Sequence, residues 1–149
     1  MSASSDLGSA EEATRPLDSW ILLFARIAIA PLYLYSGVGK VMAFTTTAGR
    51  LPGGADGFGS ALAAGAIAVE LGCGAALLLG LFARSAAVAL MCFTVAATLM
   101  FHKFWAVPEA QTVMQTINFL KNLGLIGGLA LIASQGAGSY SLAAALKRR

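Results

Sequence analysis

The sequence predicts an all-α, polytopic membrane protein, a four-helix bundle behind a disordered N-terminal tail. Two observations carry that class. Hydrophobic residues make up 58% of the 149 positions and charged ones only 11%, with a mean hydropathy of +0.77, far more apolar than a soluble domain of this size. The excess is concentrated in four stretches, 20–39, 60–81, 85–101 and 113–133, each near the length at which a helix crosses a bilayer.

Residues 1–17 are rich in Ser, Ala and acidic side chains without apolar periodicity, which predicts a disordered tail on the cytoplasmic side, followed by one four-helix domain over 18–149. Ala28-Ile29-Ala30 imitates a signal-peptide cleavage site. Pro31 directly after it and Arg26 within the apolar run argue against cleavage, so the first helix is expected to be retained. Between the first and second helices, "TTTAGRLPGGADGFGS" (45–60) has the Pro and Gly content of a loop. The connection at Phe82-Ala83-Arg84 is short enough to make the second and third helices antiparallel neighbours. The third connection runs from His102 to about Gln111 and contains Pro108.

Four spans put both termini on one side. That side and its short loop carry Arg15, Arg84, Lys147, Arg148 and Arg149, against Lys40, Arg50 and Lys103 on the other. The positive-inside bias therefore predicts cytoplasmic termini in a cell inner membrane. The net charge of +3 is scattered, and no nucleic-acid partner is expected.

Charges within the spans are more informative. "LYLYSGVGKV" (32–41) ends in a Gly-Lys pair, but a phosphate loop needs Gly where Leu34 stands and Ser or Thr where Val41 stands. Lys40 is instead expected at the outer end of the first helix, either snorkelling to the headgroups or serving a ligand. At about 1.5 Å per residue, Arg26, Glu70 and Lys121 all fall near mid-bilayer. Unpaired ions there are costly, so Arg26, Glu70, Asn118, Lys121 and Asn122 are expected to form a buried polar core, with Glu70 against Arg26 or Lys121. Two cations to one carboxylate leave positive charge for an anion, a polarised carbonyl such as a quinone head, or a partner's carboxylate. At the outer rim, Lys40, His102, Lys103 and Trp105 form a second candidate set, either a ligand crown or a headgroup anchor.

"ELGCGAALLL" (70–79) and "NLGLIGGLAL" (122–131) form a weak internal echo, each a polar residue followed by Leu-Gly. Gly72-x-x-x-Ala76 and Gly124-x-x-x-Gly128 offer small faces for helix packing. Cys73 and Cys92 lie at similar depth, either as a disulfide or as small packing residues. With two Cys, one His and no Cys-x-x-Cys, neither bis-histidine haem ligation within one chain nor a metal site is expected. Flavin and nicotinamide fingerprints are absent as well.

"LFARIAIAPLYLYSGVGKV", "VELGCGAALLLGLFAR", "FHKFWAV" and "NFLKNLGLIGGLALIASQGAGSYSL" together resemble the DoxX family of small four-helix membrane proteins, over nearly the whole chain from Ser19. The resemblance implies a redox-linked role, because family members include a membrane subunit of a thiosulfate:quinone oxidoreductase. It points to Arg26, Lys40, Glu70, His102, Lys121 and Asn122. The expectation is an accessory subunit that anchors a membrane oxidoreductase complex near a quinone site, with no covalent cofactor, in contact with lipid and with a protein partner or further copies of itself. A small-solute or anion permease acting as an oligomer, and a structural protein whose polar residues only fix packing, are the alternatives.

Overall fold

The computed structural model describes residues 16–148, and all regular structure among them is helical. Helix α1 (Pro16–Met42) opens on a proline, whose missing N–H costs nothing in a first turn. The predicted tail lies outside the described residues except for its last two positions, which α1 takes up. A short α2 (Phe44–Gly49) occupies the start of the expected loop. The second span is α3 (Phe58–Ala68), a π-helical turn (Val69–Cys73) and α4 (Gly74–Leu79). It is followed by α5 (Ala83–Phe101), a 3-10 turn (Phe104–Ala106), α6 (Glu109–Gln135) and α7 (Leu142–Lys147). Four segments are long and apolar enough to cross a membrane: Asp18–Met42, Phe58–Leu79, Ala83–Ala106 and Glu109–Gln135.

The reversal after α4 is a Schellman turn. Gly80 adopts φ +70°, Leu81 N–H donates to the Ala76 carbonyl at 2.9 Å and Gly80 N–H to the Leu77 carbonyl at 3.1 Å. Phe82 follows in the left-handed region with φ +47°. The tight turn sets the second and third spans side by side.

Both ends of the described chain meet at one end of the bundle. Ser139 N–H donates to Ser19 Oγ at 3.2 Å, and the Trp20 and Tyr140 rings lie 4.2 Å apart. This terminal end is closely packed: Leu77, Ala87, Leu90, Leu129 and Ile132 have no exposed surface. Alanines along α5 let the helices approach. The opposite, distal end, which bears the connections at 43–57 and 102–108, is looser and polar, and it holds the cleft described next.

A lysine–glutamate pair beside an amphiphilic cleft

The buried side of α1 runs Ser19, Leu22, Arg26, Ala30, Tyr33 and Gly37, a helical spacing that points each residue at the bundle. Ser36 and Lys40 flank its upper end four residues apart, and Glu70 lies opposite them, in the π turn and 2% exposed. Ser36 Oγ donates to Glu70 Oε1 at 3.0 Å, and Lys40 Nζ donates to the same oxygen at 2.8 Å and to Ser36 Oγ at 2.6 Å. The ammonium is also 2.8 Å from Oε2, which completes the ion pair, and that oxygen is buried with no other donor. Two features bring the pair together. A Cβ on Gly37 would sit 2.7 Å from Leu71 Cδ2 and 3.2 Å from Glu70 Cβ, so a larger residue would push the Leu71 side chain aside or α1 away from the π turn. The π turn adds a residue to the helical phase and sets Glu70 facing α1, an arrangement common at functional sites.

This corrects the sequence expectation in three ways. Glu70 pairs with Lys40 rather than with Arg26 or Lys121. Lys40 turns inward, because helical side chains lean toward the N-terminus and α1 runs toward the distal end, so its stem points back into the bundle. Lys121 is exposed on α6 and does not belong to a buried core.

Arg26 is buried, 1% exposed, but not at mid-depth. Its guanidinium leans to the terminal end and donates to the carbonyls of Leu77 at 3.4 Å and Leu78 at 3.2 Å, and to that of Tyr140. These include carbonyls that the end of α4 leaves without intrahelical partners, where a cation also suits the helix dipole. Arg26 thus ties α1 to the α4 terminus and to the segment after α6.

From the Lys40–Glu70 pair an open cleft of about 950 Å³ extends between α1, α3, α5 and α6. Its walls are mostly apolar, with Leu32, Val69, Phe93 and Leu125 among them, and its polar lining includes Ser36, Lys40, Glu70, Tyr33, Thr94 and Asn122, with Thr47, Arg50 and His102 toward the rim. Tyr33 Oη lies 2.5 Å from Thr94 Oγ1, and Asn122 Nδ2 donates to Thr98 Oγ1 at 2.9 Å. His102 Nδ1 is 2.8 Å from Gln115 Oε1. Of the predicted rim set, Lys40 and His102 line the cleft. Lys103 and Trp105 are exposed outside it, Trp105 stacking edge-on with Phe104 and Phe119. Asn118 is half-buried on α6.

Tyr33, Thr94 and Arg50 were not foreseen. Tyr33 could have been found from its spacing to Ser36 and Lys40, which puts three polar groups along one side of α1. The echo between 70–79 and 122–131 has a spatial counterpart, since Glu70 and Asn122 both line the cleft. Gly72 and Gly124 meet nothing within 4 Å, so neither forms the packing contact expected of it. The close approaches are at Gly37, at Gly74 against Leu34, and at Gly128 against Ile29. Cys73 and Cys92 are free thiols.

Fold and site define a class: a small four-span membrane bundle with a buried ion pair set beside an amphiphilic cleft. The chain belongs to the DoxX family, whose model matches residues 21–103. A second model, that of the SURF4 family, matches residues 66–149 and overlaps the first across the π turn and α5. Two relatives from Escherichia coli K12 align along most of their length. The inner membrane protein YphA is 29% identical over 130 residues, 87% of this chain and 91% of its own. The inner membrane protein YqjF is 31% identical over 129 residues, 86% of this chain and 93% of its own. No solved structure matches the chain significantly.

Proposed function

We propose that this protein is an accessory integral subunit of an inner-membrane oxidoreductase assembly, and that its cleft receives the head of a lipid-soluble quinone. The observation that carries the reading is the cleft itself, in which apolar walls of about 950 Å³ converge on a polar group built around Lys40 and Glu70. An isoprenoid quinone has the matching shape, an apolar tail and a small polar ring, and pockets of this size and lining are the usual form of small-molecule sites. In this reading the electrons come from a partner subunit. The names of the two relatives support an inner-membrane setting. Leu77, Leu90, Leu129 and Ile132 pack the terminal half of the bundle, so a permease would need its route between copies, as the oligomeric alternative supposes.

The test is binding of a short-chain quinone to the purified protein in nanodiscs, with empty discs as the partition control. Lys40→Ala should weaken it about tenfold, the equivalent of one charge-assisted hydrogen bond, without altering helicity. Saturable binding that is unaffected by Lys40→Ala would move the site elsewhere, and absence of saturable binding would remove the quinone reading. Mild extraction from native membranes should also co-isolate a redox-active subunit.

A further inference from the structure

We infer that the floor of the cleft is a hydrogen-bond acceptor, so that it selects ligands carrying O–H groups; on the reading proposed above, it holds the reduced hydroquinone in preference to the quinone. The inference comes from following each proton. Thr94 Oγ1 donates its only hydrogen to the Leu90 carbonyl at 2.7 Å, so the contact with Tyr33 must be donated by the phenol. Tyr33 thereby directs its hydrogen away from any ligand and keeps its acceptor lone pairs. Thr98 Oγ1 likewise donates to the Thr94 carbonyl at 2.6 Å, which obliges Asn122 to face it with its amide nitrogen. The Asn122 carbonyl oxygen is left as a second acceptor. Glu70 adds a negative charge beside them, its Oε1 met by Ser36 and Lys40 and its Oε2 lying 2.8 Å from the Lys40 ammonium with no other donor.

Tyr33, Glu70 and Asn122 all line the same cleft. Buried acceptors without donors are costly, and a ligand that brings donors relieves that cost. A quinone offers only carbonyl oxygens, and at the floor of the cleft it finds donors in the remaining hydrogens of Lys40 and Asn122, Arg50 and His102 lying toward the rim. A hydroquinone offers two hydroxyls, which suit the acceptor oxygens of Tyr33 and Asn122 and the negative charge of Glu70.

Three probes of one shape separate these cases: tetramethylhydroquinone, its dimethyl ether and tetramethylbenzoquinone. Binding is measured anaerobically by calorimetry on the full chain in phosphatidylethanolamine–phosphatidylglycerol nanodiscs. The hydroquinone should bind about tenfold or more tightly than either other probe. Glu70→Gln exchanges an acceptor for a donor, and should narrow or invert that ratio rather than weaken all three probes alike. Tyr33→Phe removes an acceptor with little change in volume and should weaken the hydroquinone alone, so it carries the test if Glu70→Gln does not fold. Equal affinity for the ether and the hydroquinone, or a ratio that both variants leave unchanged, would overturn the acceptor inference while the cleft remains a quinone site. Absence of saturable binding by all three probes would overturn both.

Discussion

A lysine four residues along α1 from Ser36, near the helix's C-terminal end, is set by backbone geometry to lean back over that serine, and Glu70 is what it meets there. The two charges are unequally placed: Glu70 is almost wholly buried, while the Lys40 side chain keeps 26% of its surface. Removing the lysine therefore strands a carboxylate that water cannot reach, whereas neutralising the glutamate frees an ammonium that can still swing toward the rim. Lys40→Met should destabilise the bundle by about 2–4 kcal/mol, near the lower part of the range for a broken buried pair. Glu70→Gln should cost less, because the amide still accepts from Ser36. The double variant should be close to Glu70→Gln alone, giving a coupling as large as the Lys40→Met cost, about 2–4 kcal/mol, in a detergent unfolding cycle. Additivity within about 0.5 kcal/mol would show that the pair contributes nothing as a pair.

At the scale of elements, the approach of α1 to the π turn decides whether that pair can form. The Cβ of an alanine at 37 would meet Leu71 at 2.7 Å and the Glu70 Cβ at 3.2 Å, whereas one at 72 would meet nothing within 4 Å. Gly37→Ala should therefore destabilise by about 1–3 kcal/mol and open the Lys40–Glu70 distance, with Gly72→Ala within about 0.5 kcal/mol of the parent. Thermal unfolding in detergent checks the pair of variants, and equal midpoints would contradict the close approach. These two glycines also mark where the sequence could be read and where it could not. The spans were legible because about twenty apolar residues in a row have one economical fate, and predicted and observed ends differ by a few residues at most positions. The start of α6 is the exception: Glu109, Gln111 and Thr112 are polar, so their turn fell outside the apolar window. The short α2 was hidden by the Thr and Gly content of its segment. On the second span the small-residue face is shifted, because the π turn's extra residue leaves Gly72 facing outward and Gly74 facing α1, whereas on α6 Gly128 of the expected pair does approach Ile29. The identities of the important charges were legible, because ions in apolar spans stand out. Their pairing was not, because it depends on side-chain direction and on that one irregular turn.

The whole molecule is polarised along its axis, with a packed terminal end clamped by Arg26 and a distal end that opens into the cleft, and this polarity sharpens the question of orientation. Counted from sequence, Lys40 weighed against cytoplasmic termini. Its ammonium is now committed to Glu70 within the bundle, so it contributes little to the field that sorts loops during insertion. Among the described residues, the distal connections then keep the exposed cations Arg50 and Lys103 beside the acidic Asp56 and Glu109. The terminal end keeps Arg84, Lys147 and Arg148 exposed, with Asp18 as its acidic residue. Counted in Lys and Arg alone, three against two, the bias predicts termini in the cytoplasm and the cleft's rim facing outward. A reporter fused after Arg149 should be active only as a cytoplasmic protein. In a background with Cys73 and Cys92 replaced by alanine, single cysteines at positions 50 and 109 should react with an impermeant maleimide added to intact cells or spheroplasts. Reaction at both positions only after the membrane is breached, together with an externally active fusion, would invert the protein. The cleft would then have to be loaded from the cytoplasmic leaflet.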